Sequence, residues 1–176
     1  MDVTEILDVI VRPLTPHGDA RGFFVESFRL EWFPDGFTPV QANRADRGAG
    51  SVTGPHYHLH QADWWYFVRG RARIVLHDLR AGSATAGVTQ VIDVDPDAGD
   101  HRGVYVPPGV AHGFSALTDV TLSYLVDRYY DPADENGVAW DDPDLAIDWG
   151  VSDPIVTARD SSNPRRSALP QIVPSR

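Results

Sequence analysis

Apolar and polar residues alternate over short segments of this chain, and turn-forming residues separate the segments. Fifteen glycines and fourteen prolines interrupt the 176 residues, and few windows have the 3.6-residue periodicity of a long amphipathic helix. This pattern predicts an all-β protein with strands about ten residues apart, as in a sandwich, a jelly roll or a closed barrel. The predicted strands cover residues 6–12, 22–27, 40–44, 51–58, 63–68, 72–79, 89–94, 103–106, 113–116 and 121–126.

Three segments depart from simple alternation. Residues 64–68 are apolar at every position, which indicates a strand whose two faces are both covered. The one helical pattern is short, over residues 28–33, and Pro34 ends it. From about residue 127 the chain is rich in Asp and Pro, which predicts loops laid over the sheets, and residues 161–176 are polar enough to predict a loosely ordered tail.

Length and composition predict a single domain over residues 1–176, since 42% hydrophobic residues suffice for a core. No run approaches the roughly 18 apolar residues of a membrane span, and the acidic start of the chain, residues 1–5, lacks the basic region of a signal peptide. We therefore expect a soluble, cytoplasmic protein. The absence of cysteine excludes disulfides, thiolate nucleophiles and cysteine-bound zinc.

The charge of the chain limits both its partners and its chemistry. A formal net charge of −10 argues against binding to nucleic acid or to an anionic membrane. All fifteen basic residues are arginine, which excludes Schiff-base chemistry on a lysine and a P-loop lysine. A cationic side chain at a functional site must therefore be arginine or histidine.

Three histidines, His56, His58 and His60, occupy alternate positions of one predicted strand and would share one face of it. Imidazoles lining a concave sheet can bind a metal ion or transfer protons. The spacing His56-x-His58-x4-Asp63-x6-Gly70, followed by Pro107-Pro108-Gly109-x2-His112, resembles the paired motifs of the cupin superfamily. That resemblance implies a double-stranded β-helix, or jelly roll, with short peripheral helices. It also gives one candidate function, a metal-dependent cupin of the isomerase or dioxygenase type with His56, His58, Asp63 and His112 as ligands.

A second resemblance covers about residues 12–164. The chain is similar to the dTDP-4-dehydrorhamnose 3,5-epimerase family in the order and spacing of its motifs. These motifs are residues 19–28 (DARGFFVESF), 40–43 (VQAN), Gly54-x-His56-Tyr57, 106–114 (VPPGVAHGF), Tyr124, 129–132 (YYDP), Glu135-x-Gly137-Val138-x-Trp140-Asp141-Asp142, Ile147-x-Trp149 and 158–160 (ARD).

This resemblance implies an enzyme with a cupin fold and no cofactor or catalytic metal. It would invert C3, C5 or both, beside the C4 ketone of a nucleotide-linked 4-keto-6-deoxyhexose. By resemblance, His56 is the base, Asp160 orients it, and Tyr124 is the acid on the opposite face of the sugar. Imidazole suits a base because its unperturbed pKa lies near the operating pH, and a phenol can give up a proton when an electropositive group lies close.

The resemblance also implies a nucleotide-sugar site completed by the partner of a homodimer. The matching substrate-binding positions are Arg21, Phe23, Glu26, Gln41, Asn43, His112 and Tyr129. An arginine can meet a phosphate through two hydrogen bonds, and an aromatic ring can stack on a base.

Two positions depart from the family pattern. Thr53 stands where family members carry an arginine that faces the diphosphate, and Asp63 stands where they carry a lysine that steadies the enolate oxygen. A carboxylate beside a developing oxyanion opposes enolisation. Three functions therefore stay open: an epimerase of altered specificity, a related keto-sugar enzyme or binding protein without epimerase activity, and the metal-dependent cupin.

Overall fold

The computed structural model describes residues 4–174, and these residues form a jelly roll with short helical turns at its edges. Residues 1–3 of the acidic start and residues 175–176 of the tail lie outside it. The strands are β1 Ile10–Pro13, β2 Pro16–Asp19, β3 Gly22–Val25, β4 Gln41–Arg47, β5 Val52–Tyr57, β6 Asp63–Arg69, β7 Ala72–Asp78, β8 Thr89–Val94, β9 Arg102–Val106, β10 Val110–Ala116, β11 Val120–Val126 and β12 Asn136–Gly137. The helical elements are α1 Ala158–Ser161 and 3-10 turns at Leu30–Trp32, Pro96–Ala98 and Arg166–Ala168.

Two five-stranded antiparallel sheets make the body of the jelly roll. The first sheet has the order β1-β9-β6-β11-β4 and the second has the order β12-β5-β10-β7-β8. A separate hairpin, β2-β3, projects from them. Apart from β7 and β8, neighbouring strands of these two sheets are not consecutive in the chain, because the chain passes repeatedly from one sheet to the other. The all-β jelly roll predicted from the sequence is confirmed.

Each of the ten predicted strands is present, with differences at the ends. The first one begins at Ile10 rather than at residue 6, and β10 begins at Val110 rather than at residue 113. The predicted helix over residues 28–33 is a single 3-10 turn, Leu30–Trp32. Two strands were missed, β2 and β12, since both are too short for alternation to be visible.

Strand β6 lies in the middle of the first sheet, and its two faces contact different apolar clusters. Trp65 and Phe67 point between the sheets and pack with Phe114 of the second sheet. Trp64 and Tyr66 point the other way, where Phe37 and other residues of the 28–37 segment cover them. This agrees with the prediction that both faces of the apolar run are covered.

The chain after β11 wraps around the second sheet. Ser51 forms a bridge with Ile155, and Arg80 forms one with Ile172, whose side chain is 2% exposed. The segment that the sequence predicts as a loose tail thus makes backbone contacts with the sheet through residue 172. Among residues 4–174, no helix has the length and apolar character needed to span a membrane.

Candidate active site

A cavity of about 130 Å³ opens between the two sheets and contains most of the candidate chemistry. The first sheet contributes one wall through β4, β6 and β11, and the second sheet contributes the other through β5 and β10. Its lining residues are Gln41, Asn43, Ala45, Arg47, Thr53, His56, His58, Gln61, Asp63, Trp65, His112, Phe114, Leu122, Tyr124, Val126, Tyr130 and Glu135.

The wall from the first sheet follows directly from strand periodicity. Alternate residues of β4 and β11 face the cavity, because successive side chains of a strand point to opposite faces. Tyr124 of β11 lies between Asn43 of β4 and Trp65 of β6 in the sheet register. Tyr124 and Asn43 therefore lie on the same wall of the cavity.

The opposite wall brings two histidines together. His56 of β5 pairs in register with His112 of β10. Gly54, two residues before His56, has a φ of 82°, and a Cβ there would lie 2.8 Å from the carbonyl oxygen of His112. The close approach of β5 to β10 thus requires glycine at this position.

A short hydrogen bond joins the side chains of His56 and Asp160. The Nε2 atom of His56 lies 2.6 Å from Oδ1 of Asp160, and the Gly54 amide donates to Oδ2 over 3.2 Å. Thr157 caps the N-terminus of helix α1, and its hydroxyl accepts a hydrogen bond from the Asp160 amide. This bond holds Asp160 in place. The predicted meeting of these two residues is confirmed.

The surroundings of Asp160 keep its carboxylate ionised. Burial by itself raises the pKa of this group, but the hydrogen bonds from His56 and the Gly54 amide outweigh burial and leave the pKa below its usual value. An ionised carboxylate accepts a hydrogen bond from the N–H group at Nε2 of His56. The lone pair of the neutral imidazole then lies on Nδ1, which makes no hydrogen bond with the described residues.

Tyr124 lies on the other wall, in a partly buried and acidic environment. Burial raises the pKa of Tyr124 most, and the charges of Asp63 and Glu135 raise it further, against a smaller opposing effect of Arg47. The charged neighbours of the phenol are thus mainly acidic. Tyr124 consequently remains a protonated phenol at neutral pH and can donate a proton.

The predicted row of three histidines on one face is wrong. Strand β5 ends at Tyr57, so the strand periodicity stops before His58. The carboxylate of Asp134 accepts from the amides of Leu59 and His60 and holds a turn there. As a result, His58 is buried in the cavity, whereas His60 is exposed and borders a different cavity, of about 470 Å³.

The four-ligand metal site of the cupin alternative is not assembled either. His58, Asp63 and His112 lie close together, with ligand atoms within 4.8 Å of one another. His56 is absent from this group, and its Nε2 atom is engaged by Asp160. Burial lowers the pKa of His112, while the nearby Asp63 carboxylate opposes this effect.

The predicted substrate-binding residues fall into two groups. Gln41, Asn43 and His112 line the cavity, and the side chain of Gln41 donates to that of Asn43 over 2.9 Å. Arg21 and Phe23 lie on the β2-β3 hairpin and Glu26 directly after it, outside this cavity. In the part of the chain that the structure describes, these three residues contribute nothing to the wall of their own cavity.

The predicted substrate-binding residue Tyr129 lies outside the wall of this cavity. Tyr129 is 73% exposed and does not line the cavity, whereas Tyr130 does. The Tyr130 amide donates to the side chain of Gln41, which fixes the orientation of this segment. Beyond the end of a strand, the sequence gives no periodicity that would distinguish two adjacent tyrosines.

Several lining residues were not predicted from the sequence as site residues. Arg47 provides a positive charge at the rim of the cavity, and Glu135 binds Arg159 over 3.1 Å. Gln61 and Trp65 each donate a hydrogen bond to the carboxylate of Asp63. The alternation of β4 and β6 could have indicated Arg47 and Trp65, whereas Glu135 was found only as part of a family motif, without a role.

A jelly roll with a His–Asp pair on one wall of its cavity and a tyrosine on the other defines a cupin-type enzyme that uses acid–base chemistry. Residues 3–167 match the sequence profile of the dTDP-4-dehydrorhamnose 3,5-epimerases, and the chain belongs to this family.

Named relatives agree with the family. The chain is 37% identical to the spore coat polysaccharide biosynthesis protein SpsL of Bacillus subtilis over 152 residues, which cover 81% of this chain and 95% of the relative. It is 38% identical to a dTDP-4-dehydrorhamnose 3-epimerase of Streptomyces niveus over 157 residues, covering 84% and 75% of the two chains.

A solved structure extends the similarity to the fold. The dTDP-6-deoxy-D-glucose-3,5-epimerase of Legionella pneumophila, in complex with dTDP-4-keto-L-rhamnose, superposes with a TM-score of 0.89 at 28% identity. The match covers 97% of this chain and 95% of that one.

Proposed function

We propose that this protein is an epimerase of nucleotide-linked 4-keto-6-deoxyhexoses that inverts C3, or C3 and C5, beside the C4 ketone. The observation that carries the proposal is that His56, paired with Asp160, and Tyr124 face one cavity from opposite sheets. Inversion needs a base on one face of the sugar ring and an acid on the other. Membership of the epimerase family supports the same reaction.

The proton transfers are assigned to three side chains. Nδ1 of His56 removes the proton from the carbon next to the ketone, and the electron pair of that C–H bond moves into the enolate. The ionised Asp160 stabilises the imidazolium that results. Tyr124 then donates its proton to the opposite face of the same carbon. The imidazolium of His56 releases its proton to solvent, and the phenolate takes one proton from solvent.

The nucleotide is expected to bind outside the cavity, whose volume of about 130 Å³ is small for a whole nucleotide sugar. Gln41 and Asn43 provide hydrogen bonds to the sugar, and Arg47 at the rim provides a charge for the diphosphate. The substrate is proposed to carry thymidine diphosphate, as do the ligands of related structures.

A homodimer is proposed to complete the site. Phe23 and Phe24 of the β2-β3 hairpin are 62% and 64% exposed, and Arg21 and Glu26 lie close by in sequence. These residues do not reach the cavity of their own chain. They are therefore available to a partner subunit, where Arg21 can bind phosphate and Phe23 can stack on the base. The cytoplasmic location stays a prediction.

Solvent exchange tests the reaction directly. The protein is incubated in deuterium oxide with a dTDP-linked 4-keto-6-deoxyglucose, and deuterium at each ring carbon is measured by mass spectrometry and NMR. Deuterium at C3 alone indicates a 3-epimerase, and deuterium at C3 and C5 indicates a 3,5-epimerase. His56→Ala should abolish exchange and retain nucleotide binding.

The remaining alternatives give different results in the same experiment. Nucleotide-sugar affinity without exchange at either carbon would indicate a binding protein, and a product in which the ketone has moved would indicate a related keto-sugar enzyme. Either result contradicts the proposal. Exposed His60→Ala serves as the control for histidine removal outside the cavity.

A further inference from the structure

Three buried side chains of the cavity take no part in the proposed proton transfers. They are His58, Asp63 and His112, which are between 3% and 5% exposed. One ligand atom from each lies within 4.8 Å of those of the other two. Three residues with metal-binding atoms thus converge on one point at the base of the cavity.

The hydrogen bonds of the two imidazoles fix which ring nitrogen faces the others. Nδ1 of His58 lies 2.9 Å from the carbonyl oxygen of Asp134, and Nδ1 of His112 lies 2.9 Å from that of Val110. A carbonyl oxygen only accepts, so each Nδ1 carries the proton and each neutral ring presents a lone pair on Nε2. Metal-binding histidines in proteins are oriented by the same type of bond from their second nitrogen.

The carboxylate of Asp63 is oriented as well. Its Oδ1 accepts from Gln61 over 2.9 Å, and its Oδ2 accepts from the indole nitrogen of Trp65 over 3.0 Å. Oδ2 also lies 3.8 Å from Nε2 of His112, which is too far for a hydrogen bond. Electron pairs of an oxygen and a nitrogen therefore face each other across a gap in a buried site, and a cation between them would satisfy both.

The charge of the cavity favours a cation at this point. Asp63 and Glu135 are acidic, and the one arginine among the lining residues of the described chain, Arg47, lies at the exposed rim. Burying a carboxylate is costly unless it is paired with a positive charge.

We propose that His58, Asp63 and His112 bind one divalent transition-metal ion, of the type of zinc, cobalt or iron(II). Two imidazoles and one carboxylate form a common protein site for such ions and leave positions open for substrate. Magnesium and calcium are less suited, since they prefer oxygen ligands. His56 does not belong to this cluster of ligand atoms.

The role assigned to the ion rests on the proposed function. When bound, such an ion supplies a positive charge that polarises a carbonyl group and stabilises an enolate oxygen. Here it would offset the negative charge of Asp63 next to the C4 oxygen of the substrate. This differs from the absence of a cofactor that the family resemblance implies.

Metal binding is tested without substrate. The full chain is prepared without a histidine tag and treated with a chelator. Cobalt(II) or zinc is then added, and binding is followed by equilibrium dialysis with elemental analysis and by the visible absorption of bound cobalt. One ion per chain is expected, and excess magnesium should not displace it.

Variants locate the ion. Loss of a residue that hydrogen-bonds to a metal ligand lowers metal affinity by about 10- to 100-fold. Loss of a ligand itself should cost at least as much, so His58→Gln, Asp63→Asn and His112→Gln should each weaken metal binding by that factor or more. His60→Gln, two residues from His58 and outside the cavity, and His56→Asn should bind as the unmodified chain does. Circular dichroism checks that each variant is folded, and Asp63→Asn preserves the size of the side chain.

Three results would contradict the proposal or part of it. The metal site is disproved by an absence of stoichiometric binding, or by binding that survives all three ligand substitutions. Stoichiometric binding that leaves the exchange rate unchanged on chelation disproves the role at the enolate. Metal binding without solvent exchange on any 4-keto sugar leaves the site standing and contradicts the proposed function alone.

Discussion

Nε2 of His56 lies 2.6 Å from Oδ1 of Asp160, although 104 positions separate the two residues in the chain. The bond joins β5 to helix α1, which follows a long loop-rich segment. It fixes the tautomer of His56 and directs Nδ1 into the cavity opposite Tyr124. The proposed chemistry of the site depends on this contact.

Asp160→Asn should lower kcat for solvent exchange by about 10²- to 10⁴-fold, the range for a positioned base. The amide cannot stabilise the imidazolium formed on His56, so KM for the nucleotide sugar should change little. Steady-state kinetics measure both constants. Exposed Asp153→Asn is the control; an equal loss in both variants would contradict the positioning role of Asp160.

Tyr124→Phe should separate proton removal from inversion. The variant retains His56 and Asp160, so deuterium should still enter the substrate, but with retention of configuration and at a reduced rate of product formation. Comparison of exchange with epimer formation by NMR measures this. Tyr130→Phe, with its ring also at the cavity, is the matched control. Inversion at the unmodified rate by Tyr124→Phe would exclude Tyr124 as the acid.

Arg47→Ala should raise KM for the nucleotide sugar by roughly tenfold and leave kcat nearly unchanged, because a hydrogen bond to a charged group contributes about 1.5–3 kcal/mol. Arg44→Ala is the control on the same strand, since Arg44 pairs with Asp46 and does not line the cavity. If both variants behave alike, Arg47 does not bind the diphosphate.

Asp78→Asn should reduce stability in a pH-dependent way. Burial alone raises the pKa of Asp78, but hydrogen bonds from Arg80, Thr85 and Ser83 lower it to about 2. A lowered pKa stabilises the folded state above the ordinary value of 3.8, and this contribution is lost as the pH falls from 3.8 to about 2. At about 1.4 kcal/mol per pKa unit, Asp78→Asn should lower the free energy of unfolding by about 2 kcal/mol at pH 7.

Urea unfolding at pH 7 and near pH 2 measures this difference in the free energy of unfolding. The difference in the free energy of unfolding between the unmodified chain and Asp78→Asn should be largest at pH 7 and should decrease at acidic pH. Asp35→Asn, at an exposed aspartate, provides the reference. A gap that is constant with pH would show that packing, rather than charge, is the contribution of Asp78.

The sheets could be predicted because their cause is local. Alternation of side chains determines which residues of β4 and β11 face inward, and the apolar run of β6 indicates a strand with both faces covered. The hairpin strand β2, with the sequence Pro-His-Gly-Asp, and the two-residue strand β12 could not be found this way, since neither shows an alternation of apolar and polar residues. The end of β5 was also missed, because Asp134, 76 residues after His58, holds the turn that follows it.

The sequence by itself determined the all-β character, the family and the identity of His56, Tyr124 and Asp160 as candidates, because these depend on periodicity and on motif spacing. Only the tertiary structure decided how the histidines divide: His56 joins Asp160, His58 joins Asp63 and His112, and His60 leaves the site. The reason is physical. A hydrogen bond or a ligand cluster depends on distances between segments that the order of residues along the chain does not specify.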